Sequence, residues 1–181
     1  PISNVAAELP GARQLLERTL GIDSDRPLPT FHRTTFEDWF EERGGAVAST
    51  ERASAATGDG PNRRAVLYPD TITNHCNPAA AKAAVEVLES AGIAVTVPEG
   101  VGDTGRPAFS KGLLDAAREA ARENLDVLGP LVEEGYDVVV IEPSDAVMFQ
   151  SDYLDLYPDP VTERVAEHTY GVCEYIDAFR L

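Results

Sequence analysis

Apolar positions along this chain change period several times, and each change marks an element. Leu9, Ala12, Leu15, Leu16 and Leu20 recur at helical spacing, with Gly21 behind them, which predicts one helix over residues 5–20 closed by a glycine. Arg26-Pro27-Leu28-Pro29-Thr30 is extended, because each proline fixes its own φ and drives its predecessor out of the α region. Thr34 or Thr35 then caps a short helix through Phe36, Trp39 and Phe40, whose rings dock this arm onto the rest of the protein. Residues 44–62 are nearly free of bulky apolar side chains and predict a flexible linker and a domain boundary.

Beyond that point strands and helices alternate. Arg64 to Tyr68 is a short apolar run stopped by Pro69. Asn77 and Pro78 open a helix with a stripe of Ala81, Ala84, Val85 and Leu88, ended by Gly92. Ile93 to Val97 is a second strand, continuous in apolar residues as a sheet covered on both faces requires. A long helix starts at Ser110, turns Leu114, Ala117, Ala121, Leu125 and Leu128 inward, and ends or kinks at Pro130. Asp137 to Ile141 is the third strand. Ser144 caps a helix through Val147, Met148 and Tyr153, and Asp159 or Thr162 opens a last one to about Phe179.

The predicted fold is a small three-layer, Rossmann-like α/β domain with a mainly parallel sheet over residues 63–181, behind a helical arm at 1–43 and the linker at 44–62. Right-handed crossovers bring the carboxyl ends of neighbouring strands to one crevice. The stretches Tyr68-Pro69-Asp70-Thr71, Val97 to Pro107 and Ile141-Glu142-Pro143-Ser144-Asp145 should therefore meet, each delivering an aspartate. The candidate pocket comprises Asp70, Thr71, Asn74, His75, Cys76, Asp103, Thr104, Gly105, Arg106, Glu142, Ser144 and Asp145.

Charge narrows the partners. A formal net charge of −16 over 181 residues leaves no basic face for nucleic acid or for an anionic membrane. The acid is dispersed and the only lysines are Lys82 and Lys111, a pattern that suits a high-salt cytoplasm. Two cysteines, Cys76 and Cys173, make no disulfide framework, and we expect Cys173 in the core. No apolar run reaches membrane-spanning length, so a cytoplasmic setting without direct membrane insertion is expected. The start at Pro1 suggests a piece of a longer protein.

Gly100-Val101-Gly102-Asp103-Thr104-Gly105 spells G-x-G-x-x-G, yet it is not read as a dinucleotide fingerprint. It follows the second strand, the helix is expected to start after it, and the residue about 20 further on is Glu123, within a helix. Asp70, Asp103 and Asp145, with His75 and Glu142 nearby, could supply oxygen ligands to a hard divalent cation. That possibility defines an alternative function, a metal-dependent hydrolase or phosphatase with Asp70 as nucleophile or ligand and Arg106 or Lys111 facing a phosphate. The plainer reading of the same aspartates is that they cap helices and turns. Adjacent His75 and Cys76 rarely turn to one atom, and Cys76 reads as a structural thiol.

Taken in order, these motifs resemble the cysteine-rich CCG domain of iron–sulfur oxidoreductases. That group includes heterodisulfide reductase B subunits, the iron–sulfur proteins of glycolate oxidase and of anaerobic glycerol-3-phosphate dehydrogenase and, most similar, long FAD-linked oxidases of the D-lactate dehydrogenase type. Pro27 to Phe40 looks like the linker before the first such domain, and Asp70 to Asn74, Gly105-Arg106-Pro107 with Lys111 to Asp115, and Glu142-Pro143-Ser144 follow in the family's order. The departures concern sulfur. Asp103-Thr104 stands where the family has Cys-Cys, and Asp145 where Glu-Pro-Ser is followed by Cys. Aspartate and threonine do not replace thiolates around iron–sulfur clusters. The resemblance thus implies a degenerate CCG domain without its own cluster, acting in docking and electron-transfer architecture. FAD and iron–sulfur groups are expected elsewhere in a parent oxidoreductase, whose other domains or subunits are the partners and through which any contact with the inner membrane face would come.

Overall fold

A computed structural model describes residues 1–9 and 11–181, apart from the side chains of Ile2, Ala6 and Glu8. Four strands, β1 (Arg63–Tyr68), β2 (Ile93–Thr96), β3 (Asp137–Val140) and β4 (Thr169–Gly171), form one sheet in the order β2-β1-β3-β4. All three pairings are parallel; Ala65 faces Val95 on one side and Asp137 on the other. The helices are α1 (Ile2–Glu8), α2 (Ala12–Leu20), α3 (Phe36–Glu42), α4 (Gly45–Thr57), α5 (Thr71–His75), α6 (Pro78–Ser90), α7 (Arg106–Ser110), α8 (Leu114–Glu133), α9 (Pro143–Val147), α10 (Tyr153–Leu156), α11 (Pro160–Glu167) and α12 (Val172–Phe179). A π-helical turn, Met148–Asp152, joins α9 to α10.

The period of two along each strand sorts the core into two layers. Val66, Tyr68, Val138 and Val140 pack against Ala117, Ala121, Leu125 and Leu128 of α8, with Phe149, Tyr153 and Val165. Ala65, Leu67 and Val139 point the other way, onto Val85 and Leu88 of α6, Phe36 and Phe40 of α3, and Tyr175 of α12. Helices on both faces of a parallel sheet give the α/β fold that the alternation predicts. Burying each phenylalanine of α3 contributes roughly 2–3 kcal/mol, enough to hold that helix on the sheet. Its start is fixed by Thr35, which accepts from the Asp38 amide while Asp38 accepts from that of Thr35.

Several expectations are corrected. Residues 44–62 are not a flexible linker: α4 runs through them, burying Gly45, Ser49 and Ala53. These positions are four apart, so the small side chains form one stripe that lets the helix lie directly on β2, where Ser49 Oγ accepts from the Val95 amide at 2.9 Å. The absence of bulky residues that suggested a linker is what this close contact needs. The single last helix is two, α11 and α12, separated by the short fourth strand. The expected helix over 5–20 is likewise two, α1 and α2; Pro10 lies outside the described residues, and Gly21 closes α2 at φ +69°.

Smaller corrections concern helix ends. The long helix begins at Leu114 rather than Ser110, because Gly112 at φ +73° turns the chain after α7, and Leu114 itself is exposed. It does not end at Pro130 but continues to Glu133; a proline in the final turn forfeits one backbone bond where the helix is about to stop anyway. Glu142, not Ser144, caps α9, and Asn77 makes no side-chain cap on α6. Asp159, one of the two starts foreseen, caps α11. Cys173 is exposed rather than in the core.

Candidate functional site

The strand order reverses direction between β1 and β3, since the chain steps from β1 to β2 on one side and then crosses to β3 on the other. In open α/β sheets such a switch point leaves a crevice beyond the carboxyl ends of the strands. Here that crevice is a cleft of about 300 Å³ lined by Tyr68, Asp70, Thr71, Ile72, Asp103, Thr104, Arg106, Pro107, Glu142, Ser144 and Asp145. The three strand-end stretches therefore meet, and their aspartates share one opening.

Asp70, Asp103 and Glu142 are each tied to their own turn. Asp70 is buried and caps α5, its Oδ1 accepting from the amides of Ile72 at 3.0 Å and Thr73 at 2.9 Å, while the Thr73 hydroxyl donates to Oδ2. Asp103 Oδ1 accepts from the Gly105 amide at 2.8 Å. Glu142 Oε1 accepts from the Ser144 hydroxyl at 3.0 Å. Asp145 differs, because its partner belongs to another strand end: the buried Thr104 hydroxyl donates to Asp145 Oδ1 and clasps the loop after β2 to the turn after β3. Burial raises the Asp145 carboxyl to about 6; the Thr104 hydrogen bond opposes this, and the neighbouring charges of Asp70, Asp103 and Glu142 add to it.

The 97–107 loop is held from below by a buried polar network. Asn124, on the inward face of α8, accepts from the Gly102 amide at 3.1 Å and approaches the Asp103 carbonyl at 3.0 Å and Tyr153 Oη at 3.2 Å. Tyr153 donates to the Thr104 carbonyl at 2.9 Å, and Tyr68 donates to that of Gly102. Burial pushes both phenols well above their ordinary range, so both stay protonated donors. Phe149 packs edge-on between them, with centroids 5.0 Å from Tyr68 and 4.9 Å from Tyr153. Gly105, at φ +80°, makes the tight turn before α7; a Cβ there would lie 3.2 Å from the Ala117 backbone.

Of the candidate residues, Asn74, His75, Cys76 and Gly105 do not line the cleft. Asn74 faces α3 instead, donating to Glu37 Oε2 at 2.6 Å and accepting from the Glu37 amide at 3.2 Å. Arg106 reaches across the rim to Asp152 of the π-helical turn at 2.8 Å, which commits its charge to a protein partner rather than to a phosphate. Helix α7 starts only after Gly105, so the glycine pattern has no helix opening within it to receive a pyrophosphate. Among the described residues, no group of three His, Cys, Asp or Glu is arranged to hold a metal ion. The side chains of Asp103, Thr104 and Asp145 present oxygens already hydrogen-bonded within the chain, and such donors do not fit an iron–sulfur cluster. Sequence reading placed the Tyr68 stretch at the crevice but missed Asn124 and Tyr153; an asparagine on the apolar stripe of α8 was the available signal.

Comparison with known proteins agrees with the oxidoreductase resemblance. One subunit of the anaerobic glycerol-3-phosphate dehydrogenase of Escherichia coli (strain K12) is 26% identical over 154 residues, covering 84% of this chain and 36% of that protein. Lactate utilization protein A of Bacillus thuringiensis (strain Al Hakam) is 31% identical over 100 residues, covering 52% of this chain and 40% of that protein. The chain thus spans little more than a third of the length of the curated relatives it matches. No family model matches the sequence, and no solved structure matches it. Among the described residues, no helix is long and apolar enough to cross a membrane.

Proposed function

We propose that this chain is a CCG-type domain of a larger oxidoreductase, of the glycerol-3-phosphate or lactate kind, in which the cluster site has been given up and the domain serves in docking and in the architecture of the electron path. The observation that carries the reading is the Thr104–Asp145 clasp. Two of the strand ends that carry thiolate positions in the family are here joined by a hydroxyl and a carboxylate, at the cleft where those loops meet. A pair of ligands has become a strut. The domain then needs no metal to fold, and the flavin and the clusters of the parent belong to other parts of the assembly.

The reading is tested by anaerobic reconstitution of the purified chain with ferrous iron and sulfide. We expect no iron–sulfur charge-transfer absorption and no bound flavin, and the same thermal midpoint before and after treatment. A stoichiometric cluster would overturn the proposal. The double substitution Thr104→Cys and Asp145→Cys supplies the comparison: because the turn geometry is retained, it should gain iron binding that the parent chain lacks.

A further inference from the structure

The arm before residue 34 carries apolar side chains for which its own fold provides no interior. Among the described residues of α2 none is buried. Between α1, α2 and the extended segment at 28–31 lies a groove of about 460 Å³, walled by Ala7, Ala12, Leu15, Leu16, Leu28 and Phe31. It is a built feature, because Asn4 clamps its far wall by donating to the Phe31 carbonyl at 2.8 Å and accepting from the Phe31 amide at 3.0 Å. The same hairpin also presents apolar side chains outward, with Val5 64%, Leu9 57% and Leu20 67% exposed. Apolar side chains left exposed around an apolar groove suit an association site.

We propose that this surface joins two copies of the chain, the outward leucines of one arm seating in the groove of the other and the reverse contact following by two-fold symmetry. Two observations select a second copy as the occupant. Groove and ridge lie on the same arm, so an isologous pair satisfies both at once and closes. Charge selects the same place. Residues 1–33 carry Arg13, Arg18, Arg26 and Arg33 against Glu8, Glu17, Asp23 and Asp25, a balance of zero, so the whole net charge of −16 lies on residues 34–181. The arm is therefore where two such acidic bodies can touch without like-charge contact. Their remaining repulsion acts through solvent and is screened by salt, so association strengthens as salt rises.

Sedimentation equilibrium of the 181-residue chain over a range of micromolar concentrations, at low and at molar potassium chloride, tests this. A dimer whose fraction grows with concentration and with salt is expected. Leu15→Glu in the groove and Leu20→Glu on the ridge should each weaken it about tenfold or more. Val47→Glu, exposed on α4 outside residues 1–33, should leave it unchanged. Circular dichroism of each variant equal to that of the parent shows that the arm still folds. A monomer under all conditions, a dimer indifferent to both arm substitutions, or growth past the dimer would overturn the proposal.

Discussion

Asp145 is the residue at which the cleft carries an electrostatic cost. Its carboxyl is raised to about 6, chiefly by burial, against about 3.9 in an unfolded chain. Between those two values the folded state binds more protons than the unfolded one, so the contribution of this group to stability is fully present below about pH 4 and is lost as pH rises to about 6. Two pKa units would amount to about 3 kcal/mol; the side chain is only partly buried, and solvent screening reduces the expected loss to about 1 kcal/mol. Asp145→Asn keeps an acceptor for Thr104 and removes the charge. It should abolish this segment of the pH dependence and raise stability at pH 7 by about 1 kcal/mol, read from urea midpoints measured between pH 4 and 8. Asn124 acts in the opposite sense. Asn124→Leu leaves the Gly102 amide and the Asp103 carbonyl without their partner, and should cost about 2–4 kcal/mol. The loss should appear in chemical denaturation and as faster amide exchange in the loop after β2.

At the scale of elements, α4 is the sharpest difference between what the residues say locally and what they do in the fold. Gly45, Ser49 and Ala53 have no bulky apolar side chain to signal a buried face, and they matter because an edge strand lies against them. Amides of residues 49–57 should therefore be strongly protected from hydrogen exchange, where a flexible linker would exchange at once. Ser49→Ala removes the acceptor from the buried Val95 amide and should lower stability by about 1–3 kcal/mol in thermal denaturation. The same contrast explains how much of the fold and site was legible. Ala65 to Tyr68 and Val138 to Val140 announce themselves because strands buried on both faces need unbroken apolar runs. Thr169-Tyr170-Gly171 does not, since three residues pairing with β3 alone carry no period. The strand-end loops could be placed in one crevice from topology. That Asn74 would turn to Glu37, and that Asn124 and Tyr153 would hold the loop, depends on side-chain partners far apart in sequence, which no local pattern encodes.

For the molecule as a whole, the governing quantity is the acid it carries. Residues 34–181 hold 27 carboxylates against 11 lysines and arginines. Several of the arginines are already spent: Arg43 on Glu89, Arg63 on Asp137, Arg106 on Asp152 and Arg122 on Glu119 and Asp126. The remaining carboxylates repel one another more strongly in the compact state than in the expanded one, which destabilises the fold. The Debye length is about 10 Å at 0.1 M salt and about 3 Å at 1 M, so molar salt silences repulsion between neighbouring surface acids. It also weakens the exposed pairs on α8, but these contribute only about 0.3–0.5 kcal/mol each. Repulsion summed over the body outweighs them, and the thermal midpoint should rise between roughly 0.1 and 2 M potassium chloride. Leu15→Glu separates this effect from association through the arm: a variant held monomeric should keep the full salt stabilisation if it arises within one body. A midpoint that stays flat or falls with salt in that variant would show that the acidic surface is not tuned to a high-salt cytoplasm.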